Sequence, residues 1–394
     1  MDILGTLNFI LSVVIGLLIL VLLVAMHEFG HGVVARRNGV RVEEFGIGFP
    51  PKAKGWNVKK SVLGKNVLYS LNWLPLGGFV KLQGENDAAD KKGDYGAVGL
   101  WAKTKILLAG VLVNWVTAAV LLTIVAVMGI PKMIDGQFMV ASDTAVNKQP
   151  VTVAAIVKGL PADQAGIQTG DELVSVAGTS MEDATKLVEL TKANQGKTIA
   201  VVYKRAGEQK TVNVAIRANN DDKKGYLGLS GGQKTTYRST WSAPLVGVAL
   251  TGQLSVYTLQ SLGTTLSNLV TGLAEKLSFD GATRAEADTK LGAVNNNIGG
   301  PIAILGMIFP AARADGLGSL MLVTALIALT LAVMNALPIP ALDGGRWFVT
   351  FLYRKVLRKP LTREKEEKIH GTGFMVLLAL VAVVTVADLF KLGH

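Results

Sequence analysis

The sequence predicts a polytopic α-helical membrane protein with about four transmembrane helices, a membrane-associated β-hairpin and an inserted α+β domain. Half of the 394 residues are hydrophobic and only 18% are charged. The mean hydropathy is +0.40, which is too apolar for a typical soluble enzyme. Four uncharged stretches are long enough to cross a bilayer, which takes about 20 apolar residues. They are residues 3–26, 106–130, 320–337 and 371–387.

These spans divide the chain into helices, loops and one inserted domain. We predict a first membrane helix at 1–35, a loop at 36–105 that contains the hairpin at 66–82, and a second helix at 106–131. Then come the α+β domain at 145–233, an amphipathic surface region at 240–312, a third membrane helix at 318–345 and a fourth at 369–390. Strand-like stretches on both sides of a helical one predict that the inserted domain is a single compact body.

Basic residues are concentrated beside the apolar spans. The net charge of +11 comes without interleaved stacking aromatics, so we expect membrane lipid, and no nucleic acid, as the partner of these residues. Residues 36–105 contain thirteen Lys and Arg, and residues 346–368 contain eight. By the positive-inside rule both loops are cytoplasmic, which leaves the 145–233 domain outside. The chain has no cysteine, so any metal must be held by His, Asp or Glu.

Residues 240–274 carry no charge but are rich in Ser, Thr, Gly and Gln. They could form a fifth span. One more crossing, however, would place the basic 346–368 loop outside the cell. The sequence therefore favours an amphipathic helix that lies on the membrane surface.

The first span ends in His27-Glu28-Phe29-Gly30-His31, an H-E-x-x-H pattern. On a helix this separation brings both imidazoles onto one face, about one turn apart, where they can share a metal ion. Glu28 then lies where a general base is needed. For five residues alone, the alternative is a chance match on an ordinary amphipathic helix.

A third ligand candidate follows the third span, in Asn335-Ala336-Leu337-Pro338-Ile339-Pro340-Ala341-Leu342-Asp343-Gly344-Gly345. In the predicted topology Asp343 emerges on the same side of the membrane as His27 and His31. Catalytic zinc usually takes three protein ligands and keeps one position for water, and two imidazoles with one carboxylate suit zinc best. The alternative is an aspartate in a turn or helix cap, because Asp-Gly-Gly is also good turn chemistry.

The two motifs, at this separation, resemble those of the site-2 protease family of intramembrane zinc metalloproteases, of the bacterial regulator of sigma-E protease type. The resemblance covers nearly the whole chain. It departs from the family in the second span, where Ala109-Gly110-Val111 precedes Asn114 in place of Ala-Gly-Pro. Shorter matching segments are Phe45-Gly46-Ile47-Gly48-Phe49, Leu74-Pro75-Leu76-Gly77-Gly78-Phe79-Val80-Lys81 and Gly299-Gly300-Pro301.

The resemblance implies hydrolysis of peptide bonds in or near the membrane segments of single-pass proteins, such as trimmed anti-sigma factors and remnant signal peptides. It implies one Zn²⁺ per chain at His27, His31 and Asp343, with Glu28 as the catalytic residue, in the inner membrane of a bacterial cell. Asn335 and Pro338 would help to position substrate, although a helix-end hydrogen bond is an alternative role for Asn335. The alternative function is a catalytically silent membrane scaffold with a peptide-binding domain.

The pattern of residue types in 66–82 predicts the β-hairpin. Residues 66–73 are strand-like, 75–78 form a turn and 79–82 continue extended. The family resemblance implies that a membrane-inserted hairpin of this kind holds the substrate as an added strand. The residues assigned to this role are Tyr69, Gly77, Gly78 and Phe79. The alternative is an ordinary cytoplasmic hairpin.

The inserted domain contains a stretch at 159–178 that is similar to the core of a PDZ domain. Its loop Gly225-Tyr226-Leu227-Gly228-Leu229 resembles the PDZ loop whose backbone amides bind a peptide carboxylate. The place of this loop at the end of the domain suggests the circularly permuted bacterial form. The predicted peptide-binding residues are Tyr226, Leu227, Gly228 and Leu229. The alternative is a domain that filters substrates by size only.

Overall fold

The computed structural model describes residues 3–222, 224–278, 280–297 and 299–392. The chain forms two compact units. One is made of the residues up to 125 and from 242 onward, and the other of Ala126–Trp241. The first unit holds the long helices and one bent sheet, and the second holds most of the short strands.

Helices account for most of the first unit. In chain order, the helices of both units are α1 (Ile3–Arg37), α2 (Leu100–Met128), α3 (Pro161–Gln164), α4 (Thr185–Ala193), α5 (Ala243–Lys276), α6 (Gly281–Asn297), α7 (Pro301–Ala303), α8 (Phe309–Ala314), α9 (Leu317–Ala336), α10 (Asp343–Phe351) and α11 (Arg363–Leu392). A π-helical turn, Ile304–Ile308, joins α7 to α8, and another, Leu352–Leu357, continues α10.

The strands are, in chain order, β1 (Val42–Val58), β2 (Val67–Leu82), β3 (Ile130–Pro131), β4 (Ala145–Lys148), β5 (Thr152–Ile156), β6 (Glu172–Val176), β7 (Thr179–Ser180), β8 (Thr198–Arg205), β9 (Glu208–Ala215), β10 (Leu229–Gly232) and β11 (Thr235–Arg238). In the first unit β1 pairs with β2. In the second unit one sheet has the order β10-β5-β6-β8-β9, with β7 paired to β6, and a smaller sheet has the order β3-β11-β4.

Four helices are long and apolar enough to cross a membrane, as predicted. Among the described residues they are α1, α2, α9 and the part Arg363–Val386 of α11. Each of α1, α2 and α11 extends past its apolar stretch by several polar residues. Because α1 continues to Arg37, the H-E-x-x-H motif lies inside the helix, where two residues four positions apart share one face.

The third span is shorter than the predicted 318–345. Helix α9 ends at Ala336, and Leu337 has the extended conformation (φ −70°, ψ 147°) that a residue before proline adopts. A new helix, α10, begins at Asp343. Pro338 and Pro340 lie in the break between the two helices, where a missing backbone N–H costs no helical hydrogen bond. The break therefore sets Asp343 at the start of a separate helix.

The bent sheet corrects the predicted hairpin. Strand β1 bends at Pro50-Pro51 and β2 bends near Gly77, so each strand has two arms. Phe45 pairs with both Val80 and Tyr69, and Tyr69 also pairs with Trp56. The arms therefore lie in the order 78–82, 42–49, 67–74, 52–58. The two strand-like segments predicted to pair with each other are real, but the 42–49 arm lies between them.

The first three turns of helix α5 pack lengthwise against α2. Gly247 lies so close to Thr123 that a side-chain carbon on the glycine would come within 2.7 Å of the Thr123 nitrogen. Eight residues further on, Trp115 Nε1 donates a hydrogen bond to Ser255 Oγ at 3.2 Å. Since Trp115 lies in the middle of α2, this part of α5 lies beside an apolar span and not beyond its end.

The second unit has its own hydrophobic core, which includes Val153, Leu173, Val201 and Leu227. Its strand β10 is an edge strand, with β5 on one side. A groove of about 380 Å³ lies against β10 and is lined by Leu187 and Val188 of α4 and by Tyr226, Leu227 and Leu229. The groove lies beside the 225–229 loop, the segment that resembles a PDZ peptide-binding loop.

Candidate metal centre

Helix α1 brings the two motif histidines together. Both side chains are buried, with 5% of His27 and 6% of His31 exposed. Their Nε2 atoms lie 3.0 Å apart, and the ring planes are nearly perpendicular. Four residues of helix bring two imidazoles onto one face, and this separation is what allows one ion to take a lone pair from each ring.

Asp343 lies where a third ligand could join the two histidines. Its Oδ2 atom lies 3.0 Å from His27 Nε2 and 3.2 Å from His31 Nε2. Ligand atoms about 2.0 Å from a tetrahedral zinc lie about 3.3 Å from one another, so the three atoms fit one zinc ion.

Gly110 of α2 forms the floor of the site. A side-chain carbon at this position would lie 2.4 Å from His31 Nε2 and 2.7 Å from His27 Nε2. Only a glycine leaves room there for the two nitrogens and an ion. Gly110 stands next to Val111, where the sequence departs from the family pattern. The sequence alone did not indicate the role of Gly110, because that role depends on how α2 packs against the histidines.

Hydrogen bonds behind the ligands orient the rings. His31 Nδ1 lies 2.7 Å from the carbonyl oxygen of Ile106, which fixes Nδ1 as the donor and leaves Nε2 free to bind metal. Asn114 Nδ2 lies 3.3 Å from His27 Nδ1, while Asn114 Oδ1 is buried without a partner among the described residues. Rotating the amide by 180° exchanges the two atoms and gives His27 Nδ1–H its acceptor. Asn114 then orients His27 as the Ile106 carbonyl orients His31.

Replacement of Asn114 by alanine should lower zinc affinity by about 10- to 100-fold, the usual effect of losing such a partner. Competition with a chromogenic chelator measures this affinity. Asn114→Asp is the matched control, because its carboxylate still accepts from His27 Nδ1–H and should retain most of the affinity. Equal zinc affinity of wild type and Asn114→Ala would show that Asn114 does not orient the ligand.

Glu28 lies beside the ligands, and a backbone N–H of the bent sheet holds its carboxylate by a hydrogen bond. Its carboxylate lies within 4.8 Å of the ligand nitrogens of His27 and His31, so proximity alone would allow it to bind metal. Glu28 Oε2, however, accepts a hydrogen bond from the Val80 backbone N–H at 3.1 Å, whereas Asp343 is much nearer to both imidazoles. This arrangement leaves Glu28 free for proton transfer.

The sequence-predicted substrate residues divide into two groups. Gly78 and Asn335 line a cavity of about 250 Å³ together with Glu28 and the ligands His27 and Asp343. Gly77, at the bend of β2, and Phe79, in the 78–82 arm, flank Gly78. Tyr69 and Pro338 do not line this cavity. Tyr69 lies in the 67–74 arm with its ring 5.9 Å from that of Phe45, and Pro338 lies in the break after α9.

The predicted peptide-binding loop lies in the second unit, at the end of the groove beside β10. Gly225 and Gly228 both have left-handed backbone angles (φ +81° and +76°). A side-chain carbon on Gly228 would lie 2.3 Å from Leu160. Both this close contact and the left-handed backbone angle require a glycine at position 228. Tyr226, Leu227 and Leu229 line the groove, and Gly228 connects them.

Comparisons with known proteins show the family of this chain. Residues 15–380 match peptidase family M50. A Clostridium perfringens relative is 30% identical over 96% of this chain and 98% of its own length. The regulator of sigma-W protease RasP of Bacillus subtilis is 26% identical over 98% of this chain and 99% of its own. The zinc metalloprotease RasP of Geobacillus kaustophilus is 25% identical over 94% and 95%.

A solved structure gives a weaker similarity. The PDZ domain of an SdrC-like protein from Listeria monocytogenes aligns with 21% of this chain and 86% of its own, at 16% identity and a TM-score of 0.19. That score is too low to show a shared fold. The family match begins before His27, ends beyond Asp343 and includes the second unit between them. The chain belongs to peptidase family M50 and is a zinc metalloprotease, which confirms the resemblance seen in its sequence.

Proposed function

We propose that this zinc metalloprotease cleaves single-pass membrane proteins within or near their membrane segments, in regulated intramembrane proteolysis. The observation that carries this proposal is the depth of the centre. Gly110 and Asn114 lie within the apolar part of α2, which follows Lys105, and α2 is one of the helices apolar enough to cross a bilayer. A centre built at this depth can reach peptide bonds that soluble proteases do not meet.

The charge distribution supports an orientation. The site-side ends of α1 and α2 adjoin the loop with thirteen Lys and Arg, and α10 opens the loop with eight. Positive charges accumulate on the cytoplasmic side of membrane proteins. The scissile bond would then lie near the cytoplasmic face of the bacterial inner membrane, and the PDZ-like second unit would lie outside.

The proposed chemistry assigns separate tasks to the residues of the centre. His27, His31 and Asp343 would hold zinc, which when bound would polarise the scissile carbonyl and lower the pKa of water. Glu28 takes a proton from the attacking water and passes it to the leaving amine as the C–N bond breaks. The Val80 N–H fixes one carboxylate oxygen of Glu28, so the other is free for this proton. Asn335 lies across the cavity, where its amide can hold the substrate backbone.

The 78–82 arm would present the substrate. It is an outer arm of the sheet, with the 42–49 arm on one side only. A membrane helix hides its carbonyl groups in its own hydrogen bonds and must unwind before hydrolysis. Pairing with the strand edge at Gly78 would offset part of that cost, because edge strands accept an added strand. The bent sheet can supply this edge even though its arms are not those of a simple hairpin.

The second unit would screen substrates. We propose that it admits trimmed proteins, such as anti-sigma factors after a first cut or remnant signal peptides, and obstructs intact ones. Its groove beside β10 also has the form of a peptide-binding site. The groove is lined by apolar side chains around a loop with two left-handed glycines. Filtering by bulk and capture of a terminus make different predictions.

The pairing of β4 with β11 suggests a deletion that distinguishes filtering by bulk from capture of a terminus. Lys148 pairs with Thr235, and Gln149 N–H bonds to the Lys234 carbonyl at 2.9 Å. Replacing residues 150–233 by Asn-Gly should therefore close β4 and β11 as a two-residue hairpin. If the unit filters by bulk, the deletion variant cleaves untrimmed and trimmed substrates, while wild type cleaves trimmed ones only.

Val188→Lys is the matched variant, since Val188 is 68% exposed and lines the groove without supporting the fold. A filter by bulk leaves its cleavage unchanged, whereas capture of a terminus makes Val188→Lys slow on trimmed substrates. Rejection of untrimmed substrates by the deletion variant would contradict filtering. Cleavage of every substrate can be followed by gel shift of a tagged single-pass protein.

A further inference from the structure

A cavity of about 680 Å³ lies next to the metal centre and has no role in the chemistry described above. It is bounded by the end of β2, the segment after it, the break before α10 and the start of α11. Glu85, Asn86, Arg346 and His370 line it. Ala341 lines both this cavity and the smaller one at the centre, so the two are neighbours.

One strand edge connects the two cavities. The Val80 N–H points away from the 42–49 arm, to Glu28 Oε2, and the Leu82 N–H points away from it too, to Glu85 Oε1 at 3.3 Å. Alternate residues of a strand direct their backbone groups to the same side, so Gly78, Val80 and Leu82 share one edge. Gly78 lines the metal cavity and Leu82 lines the larger one. Four residues of strand separate them by about 13 Å.

The larger cavity contains polar groups that the fold leaves unused. Of its acidic side chains, Glu43 is paired with Lys81 and Glu367 with Arg363, and Glu366 accepts the Asp87 N–H. The Glu85 carboxylate accepts the Leu82 N–H. It forms no ion pair of 4.0 Å or less among the described residues, although the Arg346 guanidinium lies near enough to attract it. Both ring nitrogens of His370 are buried without a partner among the described residues. A ligand that donates hydrogen bonds would satisfy both groups.

The acidic side chains Glu43, Glu85, Glu366 and Glu367 outnumber the basic side chains Lys81, Arg346 and Arg363. Arg346 is already used, since its Nη2 donates to the Glu85 carbonyl oxygen and its guanidinium lies over the Tyr95 ring. The side chains that flank a membrane segment on the cytoplasmic side are rich in Lys and Arg. A chain that pairs with this edge at Gly78 and at Leu82, while the Val80 N–H stays with Glu28, would bring such a side chain to Glu85.

We propose that this cavity binds a Lys or Arg side chain of the substrate, about four residues to the cytoplasmic side of the scissile bond, with Glu85 as its anionic partner. The inference rests on the proposed function and adds a specificity site to it. Glu85 holds the Leu82 N–H until a substrate strand supplies a carbonyl oxygen to that donor. The released carboxylate then pairs with the basic side chain.

The test uses the purified full-length protein and single-pass substrates whose neutral cytoplasmic flank carries one Lys at successive positions. Wild type should cleave fastest with Lys at one position, about four residues from the mapped cut. Glu85→Gln should lose about tenfold on that substrate, the size of one charge-assisted hydrogen bond, and little on the all-neutral one. Glu85→Lys should instead prefer Glu at the same position. Glu44→Gln, an acid paired with Lys52 outside both cavities, is the control and should match wild type.

A rate that does not depend on the Lys position, or an equal loss by Glu85→Gln on all substrates, would overturn the specificity site while leaving the protease assignment intact. Absence of cleavage of every substrate would overturn both. Because the chain has no cysteine, a direct second test is available. Asn86→Cys in a Glu28→Gln background should form a disulfide with a substrate cysteine about four residues from the cut. Crosslinking with equal yield at all positions would contradict occupancy of this cavity.

Discussion

Replacement of Glu28 by glutamine should lower the rate of cleavage by about 10²- to 10⁴-fold, the usual contribution of general acid–base catalysis. Glutamine has the same shape and can still accept the Val80 N–H, but it cannot take a proton from water. His27, His31 and Asp343 are unchanged, so the variant should keep about one zinc per chain. The rate is measured on a tagged single-pass substrate, and the metal by elemental analysis.

Glu44→Gln provides the matched control for this substitution. It makes the same chemical change on a residue of the same sheet, at an acid that pairs with Lys52 at 3.6 Å and does not line the metal cavity. Its cleavage rate should equal that of wild type. Wild-type activity in Glu28→Gln would remove the catalytic role from Glu28, and a loss of zinc in Glu28→Gln would instead make this residue a ligand.

Replacement of Gly110 by alanine should abolish zinc binding, and activity with it, while the helices remain folded. The added methyl group would lie where the imidazole nitrogens face the ion, 2.4 Å from His31 Nε2 and 2.7 Å from His27 Nε2. Both rings are held from behind by Ile106 and Asn114, so they cannot move aside without losing those hydrogen bonds. Zinc content by elemental analysis and helix content by circular dichroism separate this effect from unfolding.

The control is Gly263→Ala, in α5. No atom lies within 4 Å of a side-chain carbon at that position, so the same change should leave both zinc content and activity unaltered and favours the helix slightly. If Gly110→Ala binds one zinc with wild-type affinity, the space between residue 110 and the two imidazoles must be larger than in the structure.

The histidine ligands could be predicted from the sequence because their geometry is local. A separation of four residues on one helix determines the relation of His27 to His31 without any tertiary information. Asp343 required one further step, since the side of the membrane on which it emerges follows from the charges of the loops. The structure brings all three within 3.2 Å of one another, as that topology requires.

The bent sheet could not be predicted in the same way. Residues 66–73 and 79–82 are extended as their composition indicates, but their partner is the 42–49 arm, which lies earlier in the chain. Strand composition does not specify a partner, because pairing depends on register and on what each face buries. A hairpin was the simplest arrangement of two neighbouring strand segments, and it was wrong for this reason.

Helix α5 and Gly110 show a second limit of prediction from the sequence. Hydropathy reports how apolar a segment is, and α5 falls between a span and a surface helix by that measure. Its close approach to α2 at Gly247 depends on the absence of a side chain, as is common where membrane helices meet. Gly110 likewise matters only because α2 packs against the histidines. Small residues at helix contacts have little signal in a single sequence.

The position of the cut tests the central claim most directly. Purified wild-type protein is incubated with a single-pass substrate in a lipid bilayer and in water enriched in ¹⁸O, and the products are identified by mass spectrometry. We expect a new carboxyl terminus, labelled with ¹⁸O, within or next to the membrane segment near its cytoplasmic end. It should be absent with Glu28→Gln and after removal of zinc. A cut only in the extramembrane part of the substrate, or one that persists in Glu28→Gln, would contradict an intramembrane protease with its centre at His27, His31 and Asp343.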